Sequence, residues 1–341
     1  MLYRAKRLLN LAGDKLFSMP LLVLYLTDGC NSRCQMCDIW QNPRRNMPMP
    51  LVESIADVCS ELGIRWILLS GGEAMQHPQW SQIAQRFRAE GVHMMLLTNG
   101  LFLRKQAEEV IASVDEVILS LDGGTAATYA TIRGVDAFDV ILEGVDSVRA
   151  GGVPVTTRTT VQQANFREIP QIIDVALAHD VTTISFLAID VSNPFAFGDR
   201  DLLTPDGALS LAEIVELERI IETLAIQYAD AYAVGRMAES PDKLQRILAQ
   251  YFKSVIGEGD FPRPPCNAPH FSTVIEVDGR LRPCYFLPTY GRLQPDGETL
   301  SEAINWDAAQ ELRRAYRTGQ RPECARCVCP LHKGTRALMR M

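Results

Sequence analysis

From residue 20 to about 190, apolar positions fall into short β-rich runs separated by longer stretches with helical spacing. The strand-like runs cover 21–27 ("LLVLYLT"), 65–70 ("RWILLS"), 92–98, 115–121, 153–161 and 182–190. Helical periodicity marks the intervals near 51–62, 78–90, 104–113, 136–150 and 167–179. This alternation predicts right-handed βαβ units and a parallel sheet. Six units are too few for the usual closed eight-stranded barrel. The expected fold class is therefore α/β, either a partial (β/α)6 barrel or a doubly wound sheet, with a small C-terminal cysteine-rich domain. Ligands should bind at the carboxyl ends of the strands.

The pattern changes after "VSNPFAFGDRD" (191–201). Residues 204–230 and 240–256 read as two helices, the first opened by Thr204 as N-cap and Pro205 in the first turn. A turn-rich linker (257–270) leads to "STVIEV" and "LRPCYF", a hairpin-like pair joined at Asp278-Gly279, and a last helix spans about 301–318. The expected division is an N-terminal helix (1–19), a barrel core (20–200), a helical connection (201–260) and a C-terminal cysteine-rich domain (261–341). In the first segment Leu2, Ala5, Leu9, Ala12 and Leu16 share one helical face, with Arg4, Lys6, Arg7 and Lys15 nearby. We read it as a helix packed on the main domain; weak contact with an anionic membrane surface is the other use of such a face.

Composition narrows the class. Apolar residues make up 47% of the 341 positions, enough for a large core, and a net charge of −7 argues against a nucleic-acid partner. "MLYRAKRLLNLAGDKLF" has no apolar stretch of signal-peptide length, and "PLLVLYL" is too short to cross a bilayer. The nine cysteines are an odd number and are clustered, which favours metal binding in a reducing compartment over a disulfide scaffold, hence a cytoplasmic protein.

Three of them, Cys30, Cys34 and Cys37, lie in "DGCNSRCQMCDIW" with C-x3-C-x2-C spacing, directly after the first strand. Three thiolates can hold three irons of a cubane cluster and leave the fourth open to a non-protein ligand. Zinc is the alternative, with His77 or Asp38 as fourth ligand. Packing alone would scatter the thiols, as Cys59 is placed among apolar residues.

This motif resembles that of the radical S-adenosylmethionine (radical SAM) superfamily. Further matches follow in order: "SGGE" (Ser70 to Glu73) ends the second strand, "TNG" (Thr98 to Gly100) the third and "SLDG" (Ser120 to Gly123) the fourth. "IRG" (Ile132 to Gly134) and "QQANFREI" (162–169) also fit the family's spacing. The resemblance implies a three-cysteine 4Fe–4S cluster on Cys30, Cys34 and Cys37, with S-adenosylmethionine on its open iron. It implies cofactor contacts from Met36, Gly71, Gly72, Glu73, Thr98, Asn99, Ser120, Asp122 and Arg158. Gly-Gly-Glu would meet the methionine amino group; Ser120 and Arg158 would meet ribose and carboxylate. Met36 stands where the family places an aromatic, and a thioether can make the same apolar contact with adenine. Trp40 can share that contact.

Cys266, Cys284, Cys324 and Cys327, with Gly279 between the first two, resemble the SPASM or shortened twitch auxiliary-cluster region. The resemblance implies one auxiliary 4Fe–4S cluster on those four, with Cys329 as alternative ligand, redox thiol or bystander; a zinc site is the competing reading. The implied reaction is reductive cleavage of S-adenosylmethionine to a 5′-deoxyadenosyl radical, which takes a substrate hydrogen. A flavodoxin or ferredoxin would supply the electron. Arg158, His77, His179, Asp190 and Cys329 are candidates for the remaining catalytic roles by predicted position. The leading expectation is oxidation or epimerisation of a small sugar, aminocyclitol or nucleoside, a small-molecule substrate, with the auxiliary cluster as electron acceptor. Peptide modification and a lipid-linked substrate are alternatives. A non-enzymatic iron–sulfur or zinc protein is the distant one, because a carrier needs no SAM pocket.

Overall fold

The computed structural model describes residues 2–197, 207–261, 265–329 and 331–340. Strands β1 (Leu21–Thr27), β2 (Trp66–Gly71), β3 (His93–Thr98), β4 (Glu116–Ser120), β5 (Val155–Val161) and β6 (Thr183–Ala188) all pair in parallel. They match the six expected runs to within two residues at either end. Helix α1 (Leu2–Ala12) precedes β1. The crossovers carry α2 (Met49–Ala56), α3 (Cys59–Leu62), α4 (Trp80–Ala89), α5 (Ala107–Ser113), α6 (Ala126–Arg133), α7 (Phe138–Ala150) and α8 (Ile169–Ala178).

Burial alternates along each strand and so tells the two sheet faces apart. Leu22, Leu24, Ile67, Leu69, Met94, Leu96, Val117 and Leu119 are fully buried under the helices. Their neighbours Tyr25, Leu68, Met95, Leu97, Ile118, Ser120 and Arg158 are only partly buried and line the concave face.

The C-terminal strands do not form a separate sheet. β7 (Ser272–Ile275) pairs in parallel with β1, and β8 (Arg280–Arg282) and β9 (Gly291–Arg292) follow antiparallel. The result is one nine-stranded sheet, ordered β6-β5-β4-β3-β2-β1-β7-β8-β9 and not closed. The Asp278-Gly279 turn is as expected, with Gly279 at φ 84°. The parallel β1–β7 pairing was not legible, because β7 is separated from β1 by the whole core.

Beyond β6, α9 (Leu211–Gln227) starts at Ser210, which forms a reciprocal capping box with Glu213. The expected Thr204 cap lies outside the described residues. α10 (Ala229–Ala233), α11 (Pro241–Leu244) and α12 (Gln250–Val255) complete the connection. The expected 301–318 helix is two, α13 (Leu300–Ala303) and α14 (Asp307–Arg317), and α15 (Pro322–Ala325) and α16 (Thr335–Arg340) end the chain.

Helix α1 is tied into the fold by hydrogen bonds. Asn10 Nδ2 donates to the Ser18 carbonyl at 2.6 Å and the His270 carbonyl at 2.9 Å, and Arg7 Nη1 reaches the Leu338 carbonyl at 3.4 Å. Asp14 pairs with Arg314 at 3.0 Å and Arg317 at 3.1 Å. The expected membrane contact has no support here, although Leu8 and Leu9 remain exposed. Among the described residues no helix is long and apolar enough to span a bilayer.

The same seam makes stability depend on pH. His270 is buried against Tyr316, and desolvation, aided by the Arg313 cation, lowers its pKa to about 4. A depressed histidine pKa contributes stability above the ordinary value near 6.5, and that stability is lost as pH falls towards 4. Thermal melts of the apoprotein should therefore show His270→Phe narrowing a pH-dependent loss of up to about 3 kcal/mol. Identical slopes for variant and parent between pH 7 and 4 would contradict this.

Candidate functional site

The three-cysteine loop leaves the carboxyl end of β1 and is clamped from two sides. On one side the Gly72 amide donates to the Thr27 carbonyl at 2.7 Å and the Glu73 amide to the Gly29 carbonyl at 2.8 Å. A Cβ at Gly71 would lie 2.4 Å from the Thr27 oxygen, and one at Gly72 would lie 2.3 Å from the Gly29 oxygen. The two glycines are thus required by the close approach of one backbone to another. On the other side the Arg33 and Gln35 amides each donate at 3.0 Å to carbonyls at the end of α6, those of Arg133 and Ile132. Gly134 ends α6 at φ 65°, and a Cβ there would lie 2.4 Å from the Arg33 oxygen.

Cys34 is buried, and Cys30 and Cys37 are partly buried. Burial raises all three thiol pKa values, to about 11 for Cys30 and about 12 for Cys37. Without a cation these are inert thiols; a bound metal cluster supplies the positive charge that favours thiolate. The donor set therefore fits a cluster with three protein ligands.

Glu73 is fully buried, and its carboxylate points into the protein. Oε1 accepts from the Thr98 hydroxyl at 2.9 Å and the Met75 amide at 3.2 Å; Oε2 accepts from the Asn99 amide at 2.7 Å. Burial raises its pKa against these bonds. Asn99 Nδ2 in turn donates to Asn31 Oδ1 at 2.8 Å and lies 3.9 Å from the Cys30 sulfur. Glu73, Thr98 and Asn99 are thus brought together, but as a brace between β2, β3 and the cysteine loop. The Gly71–Gly72 backbone is the part of that motif turned to the loop.

Asp122 was expected to contact cofactor; its geometry assigns it elsewhere. Oδ1 accepts from the Thr160 amide at 2.7 Å, and Oδ2 pairs with Arg133 Nη1 at 3.0 Å. Arg133 lies beside Cys34, and that thiol together with Asp122 raises its pKa despite burial. The arginine of "IRG" thus places a buried cation against the cysteine loop, a role its spacing alone does not signal. Ser120 and Arg158, by contrast, pair across β4 and β5 on the concave face, and neither side chain has a hydrogen-bond partner among the described residues. Met36 is buried within the loop, and the Arg33 guanidinium lies 5.8 Å from the Trp40 ring.

The candidate bases separate in the same way. His77 Nδ1 accepts from the Gln79 amide at 3.1 Å, which leaves Nε2 protonated and 3.0 Å from the Met47 carbonyl. Desolvation lowers its pKa, so it is a neutral structural imidazole with no free nitrogen. His179 pairs with Asp146 at 2.8 Å beyond the C-terminus of α8, at the amino end of β6 and away from the site. Asp190 Oδ1 accepts from the Ser192 and Asn193 amides at 2.8 Å and shapes the turn after β6. Arg158 alone combines the expected position with an uncommitted side chain.

The auxiliary cysteines gather from the far end of the chain. Cys284 follows β8, Cys266 precedes β7, Cys324 lies in α15, and Cys327 and Cys329 follow it. Cys284 is close enough to Cys266, Cys324 and Cys329 for each to raise its pKa, and Cys327 is likewise coupled to Cys329, Cys284 and Cys266. Cys329 therefore stands with the auxiliary thiols, not in the concave face. Among the described residues no three His, Cys, Asp or Glu side chains converge tightly enough for a single metal ion.

Comparison with known proteins matches residues 24–176 to the radical SAM superfamily and residues 266–328 to SPASM, an iron–sulfur cluster-binding domain. The AdoMet-dependent heme synthase of Methanosarcina barkeri is 30% identical over 164 residues, 46% of this chain and 47% of its own. A probable GTP 3′,8-cyclase of Saccharolobus islandicus is 25% identical over 279 residues, 79% of this chain and 84% of that one. Streptococcus suis SuiB bound to S-adenosylmethionine superposes with a TM-score of 0.67 at 15% identity, covering 95% of this chain and 76% of SuiB. The enzyme anSMEcpe with bound AdoMet and Cp18Cys peptide gives 0.65 at 16% identity, covering 92% and 89%. These two likenesses establish the fold.

Proposed function

Because the chain joins a radical SAM domain to a SPASM iron–sulfur domain, we propose that it cleaves S-adenosylmethionine reductively and abstracts a hydrogen atom from a peptide. The observation that carries the first half is the clamped loop of three thiols, one buried and two partly buried, at the rim of a concave face holding Ser120 and Arg158. When bound, the cluster and S-adenosylmethionine supply the electron and the 5′-deoxyadenosyl radical. Cys30, Cys34 and Cys37 hold the cluster. The Gly71–Gly72 backbone keeps its loop in place, and the Arg158 cation with the Ser120 hydroxyl receives the carboxylate and ribose of the bound cofactor. The second thiol set holds auxiliary iron–sulfur, and a flavodoxin- or ferredoxin-type protein is the reductant.

Two relatives support a peptide substrate. SuiB has been captured with its precursor peptide SuiA, and anSMEcpe with Cp18Cys peptide. Because anSMEcpe is covered to 89% by this chain, a large additional recognition domain is not a condition for a peptide ligand. Oxidation or epimerisation of a sugar, aminocyclitol or nucleoside, the leading expectation from sequence, finds no support in the comparisons.

The test is anaerobic. Reconstituted protein with S-adenosylmethionine and dithionite should form 5′-deoxyadenosine, and deuterated peptides should pass deuterium into it while deuterated sugars and nucleosides should not. Intact clusters without cleavage would refute the enzymatic reading; deuterium from a nucleoside alone would refute the peptide.

A further inference from the structure

Tyr285 occupies a position that neither the cluster motifs nor the proposed reaction uses. Its backbone is bonded to Cys284 of the auxiliary set, and its partly buried ring packs towards the segment that leads to the three-cysteine loop. The Tyr285 hydroxyl accepts from the Phe197 amide at 2.9 Å, and the Phe197 carbonyl accepts from the Asp38 amide at 2.8 Å. Asp38 is bonded to Cys37. A continuous path thus runs from Cys284 through the Tyr285 ring and the Phe197 backbone to Cys37. Its only non-covalent steps are those two hydrogen bonds.

The surroundings hold that path in place. The Tyr285 ring packs edge-on to Phe197 at 5.2 Å and Phe286 at 5.0 Å, and tilted on Tyr25 of β1 at 5.9 Å. Asn193 Nδ2 donates to the Phe286 carbonyl at 3.0 Å, which ties the loop after β6 to the same segment. Phe197 sits at φ 65°, a left-handed conformation unfavourable for a bulky residue, costing on the order of 1–3 kcal/mol. In that conformation its amide faces Tyr285 and its carbonyl faces Asp38. The Cys37 thiol is also near enough to raise the pKa of the Tyr285 phenol, which burial keeps protonated.

We propose that Tyr285, with the Phe197 peptide, is the electron path between the auxiliary cluster and the three-cysteine cluster. The inference rests on the reading that both thiol sets hold clusters. With both thiol sets loaded, Tyr285 and the Phe197 peptide would pass one electron from the reduced auxiliary set to the oxidised three-cysteine set; no bond would form or break and no proton would move. Electron tunnelling falls off more gently through bonds and hydrogen bonds than across van der Waals gaps, which favours this bonded route. Tyr285 is a positioning residue in this scheme and touches no substrate.

The experiment uses the fully reconstituted protein without S-adenosylmethionine or substrate. A flash-reduced deazaflavin delivers electrons, and freeze-quench EPR follows their redistribution between the two centres. Tyr285→Phe keeps the ring and loses the bond to Phe197; Tyr285→Leu loses both. With about eight irons per chain retained, inter-centre equilibration should slow at least tenfold in Tyr285→Leu and measurably in Tyr285→Phe. A parental rate in either Tyr285 variant at full iron content overturns the proposal. Loss of the auxiliary iron in Tyr285→Phe also overturns it, in favour of a purely structural tyrosine. Because 5′-deoxyadenosine formation is scored separately, failure of the path is distinguishable from failure of the reaction.

Discussion

A Cys34→Ala variant, reconstituted anaerobically, is expected to carry about four irons per chain instead of about eight and to form no 5′-deoxyadenosine. Cys34 is the most deeply buried of the three loop thiols, and its loop is held by amide bonds from Arg33 and Gln35 to the end of α6. Those bonds are made by backbone, so the substitution removes a sulfur without releasing the loop. Two thiolates cannot hold a cluster against burial that pushes the neutral Cys30 and Cys37 thiols to about 11 and about 12. The remaining iron should stay with the auxiliary set, on the far side of β1. Cys324→Ala is the contrast: SAM cleavage should persist while turnover or stability changes. Iron analysis and product chromatography decide both. A Cys34→Ala protein that still cleaves SAM would remove the three-cysteine assignment.

The second large effect is expected at Arg133. Its side chain is 11% exposed, and Asp122, its partner at 3.0 Å, is 1% exposed. Removing the cation strands a buried carboxylate, which typically costs about 3–5 kcal/mol. The sign of the pH dependence follows from Asp122. Its pKa is already raised by burial and is held down chiefly by Arg133. In Arg133→Leu it rises further, so the ionised carboxylate destabilises the fold above that pKa, and protonation relieves it as pH falls. The deficit relative to the parent should be greatest near neutrality and shrink towards pH 5 in urea denaturation. Adding Asp122→Asn should recover much of it, because the amide can stay buried without charge. A deficit independent of pH and unrelieved by Asp122→Asn would mean that Arg133 acts through packing alone.

The parallel core was legible because its strands are largely apolar on the buried face, β5 with Thr157 and Thr159 excepted, and recur with helices between them, as βαβ units do. The cysteine loop and the two glycines before Glu73 were legible for a related reason: chemistry and steric approach restrict those positions to one residue type. What stayed hidden were long-range pairings. Asp122 and Arg133 are eleven positions apart, yet their pairing depends on how α6 returns over β4. His77 looked like a base because it follows a strand end; only the Gln79 amide and the Met47 carbonyl show that both its nitrogens are engaged. The path through Tyr285 needs three segments from distant parts of the chain. "CYF" signals nothing beyond an aromatic next to a ligand.

The pairing of β7 with β1 makes the border between the two domains a border of sequence and not of folding. With the chain cut after residue 260, β1 would lose its neighbour and present "LLVLYLT" as a bare, uncharged edge. Such an edge recruits other strands, so the N-terminal portion alone would tend to aggregate through it. In the intact chain the iron–sulfur domain therefore also serves as a cap that keeps the first strand of the barrel from polymerising.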